Sequence, residues 1–320
     1  MKKTIIFAIL VVILIITSYI SLFYNAGKLV DTGSMDMILW QIRFPRIILG
    51  IVVGAGLAVS GCIFQSILRN PLADSYTLGV SGGCALGVTL GSILRAGKLF
   101  GAFAMPISSF IGGFVTILLI YLVSLRKKFS TAVMILTGVV LSFVSSSIVL
   151  FIFSISDVNK VQNTILWLMG DLSSADITII KIVTGFILFG IAIVMYYSRD
   201  LNLLSLGEEK AIHLGLNAER SKKMFFLAAS FITGACVSSA GIIGFVGLVV
   251  PHVVRKFIGT NNIFVIPASA LIGGTFLMAS DTVSRTIISP VELPVGVITG
   301  IIGGIFLLIY LIKSKKWELF

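Results

Sequence analysis

Long apolar runs decide what this chain can become. About ten stretches, near 4–24, 44–68, 77–94, 103–123, 131–153, 177–197, 224–240, 242–258, 263–283 and 293–312, approach the roughly 20 residues a helix needs to cross a bilayer core. Lipid offers the backbone no hydrogen-bond partner, so such runs must close their own N–H and C=O groups as helices. Composition agrees: 57% of the 320 residues are hydrophobic and 12% are charged, against about 25% charged in a soluble domain. The expectation is an all-α integral membrane protein with about ten transmembrane helices, a single polytopic domain over 1–320. The first run follows Met1-Lys2-Lys3 but lacks a small-x-small cleavage site, so it reads as a retained helix.

Charge sets the orientation. If ten helices alternate from a cytoplasmic N-terminus, 16 of the 24 Lys and Arg residues fall in inner loops, among them Lys2, Lys3, Arg126, Lys127 and Lys128. That bias follows the positive-inside rule and puts both termini of a multi-pass protein in the cytoplasm. The net charge of +11 is thus an orientation signal. No basic patch with interleaved aromatics suggests a nucleic-acid partner; the partner implied is the lipid bilayer.

Helices in lipid associate where small residues let backbones approach. Gly50, Gly54 and Gly56 stand together, Gly83, Gly87 and Gly91 recur every fourth residue, and so do Gly296, Gly300 and Gly304. Each row is expected to be a packing face. Two halves of five helices would have opposite orientations, the inverted-repeat plan of many transporters. Pro251 is expected to kink or end its helix, His252 to sit at an interface, and Cys62, Cys84 and Cys236 to act as small buried hydrophobes.

The motifs exclude most chemistry. No HExxH or GxSxG is present, and no Asp, Glu, Lys, Arg or His falls near the middle of these spans; Lys181 and Asp281 lie close to ends. "SILRAGKL" has Ser92 and Leu99 where a P-loop needs glycine and a hydroxyl. The chain is therefore not expected to be an enzyme, to hold a metal or to bind a cofactor directly, and any ATP must be used on another chain. A stand-alone secondary carrier for a metal chelate, the alternative, would need a mid-membrane ion site.

One polar segment, 203–223, interrupts the apolar pattern. Ser205 stands three residues before Glu208, the spacing of a capping box, and Gly215 is placed to end a helix in the left-handed region. The expectation is a helix of about nine residues, roughly 14 Å long, too short to span. So short a helix needs a surface to pack on.

"GEEKAIHLGLN" resembles the cytoplasmic coupling segment of permease subunits from the FecCD-type, or type II, ABC importers for iron-siderophores, heme and cobalamin. The stretches "RFPRIILGIVVGAGLAVSGCIFQSILRNPLADSYTLGVSGG" (43–83), "AGIIGFVGLVVPHVVRKFIG" (240–259) and "LMASDTVSRTIISPVELPVGVITGIIGG" (277–304) are similar in the same order. The resemblance implies ten helices per subunit in the bacterial cell membrane and a second permease subunit, identical or related. It also implies two cytoplasmic ATPase subunits and an external substrate-binding protein. By resemblance Glu208, Glu209, Ala211, Leu214 and Gly215 would couple to the ATPases. Arg43, Arg46 and Arg285 would meet acidic residues of the binding protein; otherwise they snorkel, and Arg285 pairs with Asp281 four residues back. The fifth and tenth helices would line the pathway, pointing to Thr137, Ser142, Ser145, Ser146, Ser147 and Thr299, unless these hydroxyls only bond their own helix carbonyls.

Overall fold

The computed structural model describes residues 2–24, 37–94, 96–173, 176–289 and 291–313. Among them there are helices and turns and no strand. Lys28, Arg95, Lys315 and Lys316, counted above in the charge balance, lie outside the described residues.

Each expected span is a helix: α1 (Lys2–Phe23), α2 (Phe44–Leu68, entered through a π-helical turn Ile38–Arg43), α3 (Val80–Ile93), α4 (Ala104–Leu125) and α5 (Thr131–Ser154). After α6 (Val158–Leu168) comes α7 (Ile177–Tyr196), then the short α8 (Ser198–Ser205) and α9 (Glu208–His213). The last four are α10 (Ala218–Ala240), α11 (Val246–Ile258), α12 (Asn262–Thr286) and α13 (Val295–Lys313). Seven are long and apolar enough to cross a membrane alone, α3 and α13 are shorter apolar helices, and α11, of 13 residues, fills the remaining expected run. The molecule has a basal face, where α1 begins and α13 ends, and an apical face opposite. Lys3 over the Phe264 ring and Asn202 bonded to Asn261 mark the basal face. Asp171 N–H bonded to the Ala240 carbonyl marks the apical one.

The two halves are inverted copies in their most unusual feature. At the basal end of α2 the chain turns back through 69–79 before α3 begins, with Gly79 at its N-cap in the left-handed region (φ 76°). At the apical end of α10 the chain descends through 241–245 before α11 begins, with Phe245 at its N-cap likewise left-handed (φ 68°). Each half therefore has one broken span, entered from opposite faces, and broken spans survive in lipid only where protein buries the freed backbone. A left-handed Phe is strained, at about 1–3 kcal/mol. The absence of a side chain at Gly303 makes room for it, since a Cβ there would lie 2.5 Å from the Phe245 ring.

Packing is tightest around α2. Burial covers 78% of its span and 72% of α10, but 6% of α1, which leans on the bundle from the lipid side. Two of the three glycine rows pack as expected: a methyl on Gly54 would overlap the Gly273 backbone, and Gly87 meets Gly112 on α4. In the third row only Gly296 is in tight contact; Gly300 faces open space and Gly304 merely touches Phe245. That correction has a simple cause, because α13 lies at the edge of the single chain. Among the described residues the closest approach to another backbone, Gly61 on Gly247, belongs to none of these rows.

Pro251 does not end its helix. It sits inside α11 and withholds the N–H that would bond the Gly247 carbonyl. The Gln65 amide from α2 donates to the Gly247 and Leu248 carbonyls instead, at 3.2 and 3.1 Å. Arg255 in turn donates to Gln65 Oε1 and to Cys62 O and Ser66 Oγ. His252 stands edge-on to Tyr310 of α13 at 4.3 Å, and all three cysteines are free and buried.

Candidate functional site

Three places hold the residues singled out by the sequence. On the basal face, 198–213 forms two short helices instead of one capped helix. Ser205 ends α8 and donates to the Leu201 carbonyl at 2.8 Å, so its hydroxyl does not cap α9. The N-cap is Gly207, with φ 111°. Glu208 reaches across to Lys222 of α10. The capping box fails at both partners: Ser205 still belongs to α8, and the Glu208 carboxylate pairs with the Lys222 ammonium. Gly215 is left-handed as expected (φ 86°).

This basal peg has two sides. Ala211 is completely buried and anchors it to the bundle. Glu209, Lys210, Ile212, His213 and Leu214 point outward, Ile212 and Leu214 being 59% and 61% exposed. Two exposed aliphatic side chains ringed by charge make a small surface suited to a protein partner.

On the apical face, Arg46 is held on two sides. It donates through Nε and Nη2 to Asp281 at 2.8–3.0 Å and through Nη1 to Glu292 at 2.7 Å. Arg285 lies 3.2 Å from Asp281 through Nε, outside hydrogen-bond geometry, and donates through Nη2 to Ser21. Arg43 donates to the Leu22 and Tyr24 carbonyls at 2.8 and 2.9 Å. The expected Arg285–Asp281 pair is therefore present, within a larger network. Arg43 and Arg46 are not surface groups but 8% and 5% exposed. What reaches solvent is the Glu292 carboxylate, half exposed. Sequence spacing could show only the neighbour four residues back, whereas Arg46 is 235 positions from Asp281.

Beside this network an apical cavity of about 1040 Å³ opens between α6, the ends of α3 and α4, and the segments 170–173 and 292–295. Arg46, Lys98, Lys160, Trp167, Asp176 and Glu292 are among its walls. Asp176 caps α7 by accepting from the N–H groups of Thr178 and Ile179, which holds its carboxyl below the usual carboxylate range. The amphipathic α6 was missed by the sequence reading. Its signal was present, Val158, Val161, Ile165 and Leu168 recurring at helical spacing, but it is too short and polar to compete with the spans.

The hydroxyl residues divide. Ser142 donates to the Gly138 carbonyl and Thr299 to that of Gly296, so both are satisfied within their own helices. Ser145 is buried beside Gly82, Thr137 is half-buried, and Ser146 and Ser147 are exposed on α5. Sequence reasoning passed over Lys222, Gln65, Arg255 and Glu292. Each is a polar residue whose partner comes from a distant helix.

Residues 4–313 match the FecCD transport family. The cobalamin import system permease protein BtuC of Halobacterium salinarum is 37% identical over 286 residues, 88% of this chain and 74% of that protein. The hemin transport system permease protein HmuU of Yersinia pestis is 36% identical over 260 residues, 81% of this chain and 78% of that protein. A solved ABC transporter structure in an inward-facing conformation, described as of the metal-chelate type, superposes with a TM-score of 0.88 at 31% identity, covering 98% of this chain and 100% of the other. With its two broken spans, its basal peg and these relatives, the chain belongs to the FecCD transport family and is a multi-pass ABC transporter permease subunit.

Proposed function

We propose that this permease forms a dimer, with itself or a related chain, and imports an iron-siderophore or similar chelate such as heme or cobalamin. An external binding protein would deliver the cargo on the apical face, and two ATPase subunits would bind the basal face, which is then cytoplasmic. The peg carries this reading: a six-residue helix anchored by Ala211 and exposing Glu209, Ile212 and Leu214 is shaped to seat in another protein. Glu208, Glu209, Leu214 and Gly215 act in coupling, with Ala211 as the inward anchor. Apically, the binding protein's acids would engage a face whose arginines are held from below by Asp281, so Arg43, Arg46 and Arg285 contribute a positive field and Glu292 the group first met. Such charges act mainly on encounter and orientation. The cavity and the exposed Ser146 and Ser147 offer a mixed, weakly polar route for a bulky chelate.

The test is co-purification of the tagged permease with ATPase subunits from its native cells. Changing Glu209→Ala, Ile212→Asp and Leu214→Asp together abolishes co-purification while the unfolding midpoint of the permease stays unchanged. Undiminished ATPase capture by this triple variant overturns the reading.

A further inference from the structure

Lys222, the fifth residue of α10, has a side chain only 3% exposed. Its ammonium has three donors and meets acceptors from two other parts of the chain. Glu208 approaches from the peg, while the Phe129 carbonyl at 3.4 Å and the Thr131 hydroxyl at 3.3 Å come from the start of α5. The peg, α10 and α5 therefore meet at one charged atom.

The α5 side of this joint is strained. Lys128 and Phe129 are consecutive non-glycine residues in the left-handed region, at φ 50° and 54°, where L side chains are disfavoured. Phe129 is fully buried, edge-on to Tyr121 at 5.6 Å and to Phe226 at 5.9 Å. Phe226 lies one turn beyond Lys222 on α10. The turn is thus gripped twice by the same helix, through its carbonyl by Lys222 and through its ring by Phe226. Beyond it, Gly138 of α5 packs against the backbone of Leu78 and Gly79, where the first broken span begins.

We propose that Lys222 is the positioning residue that carries displacement of the peg into α5. The ammonium cannot follow Glu208 without drawing on Phe129 and Thr131, because it lies buried with its donors already directed to them. A strained turn is the natural element to yield, since its left-handed residues have a lower-energy alternative. Movement there shifts the start of α5 and, through Gly138, the entry of α3. This inference rests on the reading of the chain as an ATPase-driven permease, and its test separates the two.

The permease is assembled with its ATPase subunits in lipid nanodiscs and spin-labelled at Ile155→Cys, an exposed position at the far end of α5. Native cysteines are buried and leave the new thiol as the target. In the parent, ATP with vanadate shifts the distance between this label and its counterpart at the matching position of the paired permease subunit. In Lys222→Met the assembly still hydrolyses ATP but the shift is lost, and Lys222→Arg regains it. A shift that persists in Lys222→Met overturns the inference. So does joint loss of hydrolysis and shift in a folded assembly, which would place Lys222 in ATPase docking. If Lys222→Met fails to assemble, Thr131→Val, close in shape and confined to the α5 side, decides: a reduced shift supports the joint and an undiminished one overturns it. A parent chain that captures no ATPase would instead overturn the permease reading.

Discussion

At the scale of single residues, burial decides which charges matter. Asp281 is 2% exposed and faces both Arg46 and Arg285, whereas Glu292 is half exposed and, among the described residues, forms an ion pair with Arg46. Removing one partner from a buried pair leaves an uncompensated charge in low dielectric, at about 3–5 kcal/mol. An exposed partner contributes about 0–1 kcal/mol. Asp281→Ala is therefore expected to lower the unfolding midpoint in detergent severely, and Glu292→Gln to leave it nearly unchanged. The two carboxylates look alike in sequence, and only their depth separates them.

At the scale of elements, α2 and α11 are fastened at several points, and two of them yield predictions. Gly61 lets the Gly247 backbone approach so closely that a methyl must push the helices apart, so Gly61→Ala is expected to destabilise by about 1–3 kcal/mol or more. Gly300 has open space around it, and in the isolated subunit Gly300→Ala is expected to be neutral or to stabilise α13 by up to about 1 kcal/mol through helix propensity. Thermal unfolding of the two variants side by side checks the contrast. The second fastening is Gln65, which satisfies the carbonyl Pro251 leaves free. Gln65→Leu leaves it unpaired at about 1–3 kcal/mol. Adding Pro251→Ala restores an N–H within α11, so the double variant is expected to be more stable than the sum of the two single effects. Additive losses would show that Gln65 acts elsewhere.

At the scale of the whole molecule, two inverted halves put the peg and the arginine network on opposite faces of one bundle. A membrane between them gives a simple expectation. Glu209→Cys is labelled by a membrane-impermeant thiol reagent only after the cells are opened, and Lys98→Cys is labelled in intact cells, read by mass shift against the buried native thiols. Labelling of Glu209→Cys in intact cells would invert the proposed orientation.

The apolar runs by themselves determined ten helices, because lipid leaves a long hydrophobic stretch no other way to satisfy its backbone. The left-handed turn at Gly215 was legible for a local reason, since only the residue itself need be known. The rows at Gly54 and Gly87 were legible too, because small residues four apart mark a face wherever a neighbour exists. Tertiary structure alone decided the rest. Whether Gly300 meets a neighbour depends on where α13 lies, and whether Glu208 folds back on its own helix depends on the ammonium of Lys222 arriving from another helix. Arg46 became a buried ion pair because Asp281 and Glu292, over 230 positions away, fold beside it. Local chemistry is written along the chain, but the strength of a polar contact is set by partner and depth, and both are properties of the assembled bundle.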